Sequence, residues 1–296
     1  MKGGGVDGLG AGGSTPRRDA LDPLALFEAY MRVTGVPRLG ERPAEAPPGH
    51  PKLRGKRLGV VNGAAWTGLW ASYFGGLYLP GVELITVGSD AVQLAFMRAH
   101  RDGRACPPPG NIRLFRQYAE QLVELAGVHA VLLTCSTMNR AYTEVRDALA
   151  PSGVPVVQID EPMMEQAVRR GGRVLVVATH GPTVRSTRAL LQETAERLGR
   201  EASCAGVTVE KAFEKLGAGD VRAHNAIVAD AVRGELRGGN GSGKREIRTV
   251  ILAQLSMAVF ALSHPRAEEE FGVPVLTSAE TGFRRVRDVL EEERRL

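Results

Sequence analysis

The stretch Val131-Leu132-Leu133-Thr134-Cys135-Ser136-Thr137-Met138-Asn139 decides how the rest of the chain is read. The continuous apolar run from Ala130 to Leu133 suits a strand of a parallel sheet, covered on both faces. It leads into a polar turn with a thiol at its tip and then into a helix. Ser136, Thr137 and Asn139 bring two hydroxyls, an amide and the N–H groups of a helix start, a combination that suits an anion. A cysteine at a helix N-terminus has its thiolate favoured by the helix dipole. Ligands of open α/β sheets bind just outside the C-terminal strand ends. Cys135 is therefore the nominated reactive group. The plainer reading is a small buried hydrophobe, the usual fate of a free cysteine.

Outward from this turn the pattern alternates. Residues 56–63 and 82–87 read as strands, 111–126 has helical spacing, 139–149 is a helix and 154–159 a strand. The alternation then restarts. A strand over 173–179 ends in His180-Gly181-Pro182-Thr183, and a helix over 184–198 follows. A short strand at 207–209, helices over 210–216 and 220–236, a strand over 249–253 ending at Gln254-Leu255-Ser256-Met257, a helix and a strand at 273–276 complete it. Such alternation implies parallel sheets joined by right-handed crossovers. The expected fold is α/β: two pseudo-symmetric lobes, each a mostly parallel sheet flanked by helices, with the site in the cleft between them. Residues 53–160 plus 272–296 are assigned to the first lobe and 161–271 to the second.

Residues 1–52 read as a flexible arm. Residues 1–20 are Gly-rich and without apolar periodicity, so disorder is expected there. Asp22-Pro23 opens a short amphipathic helix with Leu24, Phe27, Tyr30 and Met31 on one face, and a Pro-rich linker follows Gly35. Sequence leaves open whether this arm packs on the body or on a second subunit of a homodimer.

Composition narrows the function classes. At 296 residues and 43% hydrophobic, the chain can bury a large core. The net charge of +5 is spread along the sequence, and with 5% aromatics there is neither a concentrated basic helix nor a base-stacking platform, so no nucleic-acid partner is expected. Cys106, Cys135 and Cys204 are scattered, which argues for a reducing compartment and against disulfides or structural zinc. No apolar run is long enough to span a bilayer and no signal peptide is visible, so no membrane partner and a cytoplasmic location are expected.

Taken together, the two polar turns resemble those of the aspartate/glutamate/hydantoin racemase superfamily, over about residues 56–296. Leu133-Thr134-Cys135-Ser136-Thr137 is similar to the family's first catalytic turn, and Val176-Val177-Ala178-Thr179-His180-Gly181-Pro182-Thr183 to the turn that opens the second lobe. Asn62-Gly63 sits where the family carries a polar substrate contact. The resemblance implies a cofactor-independent, metal-independent enzyme acting on a small carboxylate, an amino acid or diacid, by cysteine-based proton transfer.

One departure stands out. Family racemases carry a second cysteine near Ile251–Ser256, where this chain has Gln254. Two-base racemisation needs an acid on the second face, and an amide does not titrate at useful pH. His180 is the alternative acid, against the plainer reading of a solvated or structural histidine. One cysteine also suits a decarboxylase or a cis-trans isomerase of the superfamily, where Cys135 acts as proton donor or as nucleophile on a double bond. A non-catalytic ligand-binding relative is the third reading. Ser136, Thr137, Thr179, Thr183 and Ser256 are candidate donors to substrate charge, with Gln254 as a binding amide; their plainer role is helix capping.

Three other motifs are weaker. Gly238–Arg245 fits GxxxxGK, but position 245 is Arg and the loop precedes a strand, so it reads as a surface loop. Asp160-Glu161 before Pro162 reads as a helix cap rather than as site acids. His224 and His264 have no metal-ligand spacing, Met163-Met164 reads as core, and 291–295 as a solvated helix end.

Overall fold

A computed structural model describes residues 22–37, 50–238 and 246–292. The Gly-rich start, most of the Pro-rich linker, residues 239–245 of the GxxxxGK stretch and residues 293–296 lie outside them.

In chain order the elements are α1 (Pro23–Thr34), β1 (Arg57–Asn62), α2 (Gly68–Tyr78), β2 (Glu83–Gly88), α3 (Asp90–Arg101), α4 (Pro109–Ala126), β3 (Ala130–Leu133), α5 (Tyr142–Leu149), β4 (Val156–Gln158) and α6 (Glu161–Arg170). The second series is β5 (Arg173–Ala178), α7 (Gly181–Arg197), β6 (Ser203–Thr208), α8 (Glu210–Gly217), α9 (Val221–Gly238), β7 (Ile247–Leu252), α10 (Phe260–Ser263), α11 (Ala267–Phe271), β8 (Val275–Thr277) and α12 (Ser278–Glu291).

The strands form two four-stranded sheets in the orders β2-β1-β3-β4 and β6-β5-β7-β8, parallel throughout. The second order is the first moved on by four strands, so the lobes share one topology. The central strands are apolar on both faces because helices cover both. Leu58, Val60 and Leu132 face one cluster, while Val61, Val131 and Leu133 face another with Phe115, Ala119 and Leu122 of α4. Helix α4 approaches β1 closely because Gly59 has no side chain; a Cβ there would lie 3.1 Å from Leu122 Cδ1. Gly127, at φ 58°, closes that helix in the left-handed conformation that glycine tolerates.

Several sequence expectations shift. The segment read as a strand at 207–209 is β6, beginning at Ser203. Its small residues Ser203, Ala205 and Gly206 hide the apolar pattern, and Gly206 gives Val184 of α7 room to pack. Helices α2 and α3 fill stretches that received no assignment. The helix expected over 139–149 starts as a 3-10 stretch, Ser136–Ala141, before α5. The C-terminal segment, assigned whole to the first lobe, divides. Strand β8 pairs with β7 in the second sheet, whereas Ala279, Phe283, Val286 and Leu290 of α12 pack with Leu58 and Phe74 in the first. The chain's end thereby clamps the two lobes together.

Helix α1 is capped by Asp22, whose carboxylate accepts from Leu24 N at 3.0 Å, and it lies against α2. Its expected apolar face stays exposed in the single chain, with Phe27 at 66%. Among the described residues, no helix is long and apolar enough to cross a membrane, and no group of three His, Cys, Asp or Glu is placed to hold a metal.

Candidate active site

The two sheets end at equivalent turns. In the first, Val61 of β1 pairs with Leu133 of β3, and in the second Val177 of β5 pairs with Leu252 of β7. One residue on, Thr134 N donates to Val61 O at 3.1 Å and Ala253 N to Val177 O at 2.9 Å. Each strand then enters a 3-10 stretch, Ser136–Ala141 or Leu255–Val259. Two residues past the matched positions stand Cys135 and Gln254. They are register twins.

The neighbours of the twins differ. Gly63 follows β1 directly, and a Cβ on it would collide with Cys135 Sγ and lie 2.8 Å from Cys135 Cβ. Glycine is required there by the thiol. In the second lobe the matching position is Thr179, whose N–H and hydroxyl both donate to Gln254 Oε1, at 2.7 and 2.8 Å. A backbone N–H can only donate, so the amide oxygen must face Thr179 and the NH2 is the end with donors to spare.

A cleft of about 90 Å³, or about 720 Å³ counting its open mouth, lies between these turns. Cys135, His180, Gly63, Ser136, Thr137, Thr183, Gln254 and Ser256 line it, all of them candidates from sequence. Asn62 and Thr179, also expected to touch substrate, lie fully buried behind the wall. Asn62 Oδ1 accepts from Thr134 Oγ1 at 2.8 Å and its NH2 donates to Val87 O at 3.2 Å, tying the ends of β1, β2 and β3. These two residues hold the turns rather than face the cleft.

Cys135 is partly buried, and its Sγ lies 3.2 Å from Thr137 Oγ1. Burial raises its pKa above the ordinary 9.0, while the Thr137 hydroxyl and the backbone N–H groups of Thr137 and Met138 pull it down less. The thiol is thus protonated at neutral pH. The thiolate expected from a helix start is not favoured here, because a 3-10 turn with little aligned dipole follows the cysteine and desolvation outweighs it. His180 packs edge-on against Phe213, with ring centroids 4.4 Å apart. Burial lowers its pKa from 6.5, against a smaller upward pull from Glu210. Its imidazole is neutral near pH 7.

Asp160 is a feature the sequence reading treated as a helix cap. It occupies the N-cap position of α6, but its side chain makes no capping bond. It is 2% exposed, faces the hydroxyls of Ser136 and Ser278, and forms no well-aligned hydrogen bond among the described residues. Burial pushes its pKa to about 7, against smaller downward pulls from those hydroxyls, and its charge raises the Cys135 thiol further. The apolar Ile159 before it and Pro162 after it were the only local hints of burial. The remaining part of the wall was also missed: Trp66, Val92, Phe96 and Met97 from the first lobe and Phe213 from the second. Ser186 Oγ donates to Ser136 O at 3.2 Å, so the second lobe also holds the cysteine turn.

Two parallel α/β lobes of one topology thus face a cleft with a cysteine at the strand-end turn of one of them. The family model described as Asp/Glu/Hydantoin racemase matches residues 78–286, and the chain belongs to that family. No curated protein matches it by sequence. Solved structures share the fold at low identity. The Picrophilus torridus aspartate racemase is 12% identical with a TM-score of 0.56, covering 81% of this chain and 96% of its own. An aspartate racemase homologue from Pyrococcus horikoshii is 19% identical with a TM-score of 0.55, covering 80% and 100%. A Francisella tularensis glutamate racemase in complex with D-glutamate is 14% identical with a TM-score of 0.54, covering 79% and 81%.

Proposed function

We propose that this chain is a cofactor-independent enzyme of the racemase or isomerase type that moves a proton at the carbon beside a small carboxylate. One observation carries the reading: among the described residues, Cys135 and His180 are the only titratable side chains on the cleft wall, one from each lobe. Neutral imidazole removes the α-proton, and the Cys135 thiol returns one from the other face, leaving imidazolium and thiolate for the reverse direction. The enolate charge formed between these steps is met by neutral donors. Thr183 Oγ1 is buried on the wall without a partner among the described residues, Gln254 has its NH2 to spare, and Ser136 and Ser256 stand beside them.

A second reading is favoured by Gln254 at the register position of Cys135. If the glutamine side only binds, the chemistry is one-sided. A malonate-type substrate loses CO₂, the resulting enolate takes its proton from the Cys135 thiol, and solvent restores the thiol. Conversion of single enantiomers, followed by chiral chromatography with wild type, Cys135→Ser and His180→Gln, separates the two. Two-sided transfer requires both residues for inversion; the one-sided route requires only Cys135 and gives no inversion. If Cys135→Ser turns over as well as wild type, both readings fail.

A further inference from the structure

The wall facing the two polar turns is apolar and aromatic, and it is built from both lobes. Trp66 from the loop after β1 and Phe213 from α8 meet with ring centroids 6.4 Å apart, and Phe96 and Met97 of α3 continue the surface. Trp66 is fixed in place. Its Nε1 donates to Gln93 Oε1 at 3.0 Å, and the loop before it is held by Ala65 N donating to Asp90 Oδ1 at 2.9 Å. Among the described residues, no lysine or arginine lines the cleft.

We infer that the substrate bears one polar head, a single carboxylate at the two turns, and an apolar, ring-sized substituent on the reacting carbon that packs against the surface Trp66 and Phe213 form together. This assigns the substrate class for the two-sided proton transfer of the proposed function and rests on that reading. A carboxylate buried without a cation or sufficient donors is strongly disfavoured. The turns offer hydroxyls, an amide and backbone N–H groups for one such head, whereas beside the aromatic wall the Thr67 hydroxyl already donates to Ala64 O and the Gln93 NH2 is a single neutral donor for a second. An apolar ring gains there by leaving water and by edge or face contacts with the two aromatics. α-Aryl or bulky α-alkyl carboxylates are therefore favoured over acidic amino acids.

The test is calorimetric titration of the full chain with 2-phenylpropionate and phenylglycine against aspartate, glutamate and alanine, paired with α-proton exchange in D₂O. Phenyl-bearing ligands should bind at least about tenfold more tightly than the others, the gain expected for one buried ring. Phe213→Ala should reduce that preference by about tenfold, and Phe213→Arg should move it toward aspartate and glutamate. Tighter binding of aspartate or glutamate to wild type, a preference unchanged in both variants, or binding of none of the five overturns the inference. If aspartate exchanges its α-proton in a Cys135-dependent way while the phenyl ligands do not bind, the inference fails and the proposed function stands. If the phenyl preference appears and depends on Phe213, yet no ligand exchanges, the inference stands and the catalytic reading falls.

Discussion

Cys135 and Gln254 stand at the same place in the two sheets, each two residues past the strand position that pairs with Val61 or Val177. Gly63 leaves space for the thiol, whereas Thr179 fastens the amide through two hydrogen bonds to its oxygen. The lobes thus repeat one frame and differ in what it carries: a group that titrates on one side, a fixed polar group on the other. Gln254→Cys, made together with Thr179→Gly to restore the first-lobe arrangement, should raise inversion relative to one-sided exchange. Chiral chromatography of the product measures that ratio.

Gly63→Ala should displace the Cys135 side chain, because the new methyl needs the space the sulfur occupies. The expected outcome is a loss of kcat of about a hundredfold, of the size that follows from small misplacements of a reacting group. Destabilisation should be about 1–3 kcal/mol. Urea unfolding beside kinetics separates the two effects.

Burial holds the Cys135 thiol above the ordinary value. Site-resolved alkylation with iodoacetamide at pH 7.5 should therefore label exposed Cys106 well before Cys135. Asp160→Asn removes a charge that raises this thiol, so Cys135 should alkylate faster in the variant, with its midpoint moved to lower pH. An unchanged midpoint would mean that Asp160 does not act on the thiol.

Asp160 also imposes a pH dependence on stability. Its folded pKa, about 7, lies above the ordinary 3.8, so between these values the native state holds a proton that the unfolded state has lost. Stability from this group falls as pH rises from about 4 to about 7 and is level above that, in total on the order of 4 kcal/mol. Asp160→Asn should abolish that slope. The variant's advantage over wild type in urea midpoint should grow across the window and then stop growing.

The kinetic profile follows from the same shifts. In the proposed two-sided transfer the forward step would use neutral His180, whose pKa is lowered below 6.5, and protonated Cys135, whose pKa is raised above 9.0. A plot of kcat/KM against pH should be flat between those values, with an acid limb below 6.5 and an alkaline limb above 9.0. His180→Gln should remove the acid limb along with most of the inversion activity.

The frame was legible in the chain because its central strands are uninterrupted apolar runs: Ala130–Leu133 and 174–178 are built to be covered on both faces. Cys135, His180 and Gln254 were legible as strand-end residues for the same reason. The aromatic wall was not. Helix α2 is apolar around its whole circumference and so lacks a stripe, and the spacing of Val92, Phe96 and Ala99 in α3 was an available signal left unused. That Phe213 of α8 meets Trp66 depends on how one lobe sits on the other, which no local pattern encodes. Asp160 was misread for a related reason. An acid before Glu-Pro has the local form of a cap, and the hydroxyls its buried carboxylate faces, Ser136 and Ser278, are both distant in sequence.

The most direct test of cysteine-based proton transfer is proton NMR in D₂O on α-substituted carboxylates, with wild type and Cys135→Ala compared at equal fold stability. Wild type should wash deuterium into the α-position of at least one substrate, and Cys135→Ala should not. Exchange at the same rate in both proteins, or in neither across amino acids, diacids and α-aryl carboxylates, would contradict a proton-transferring role for Cys135.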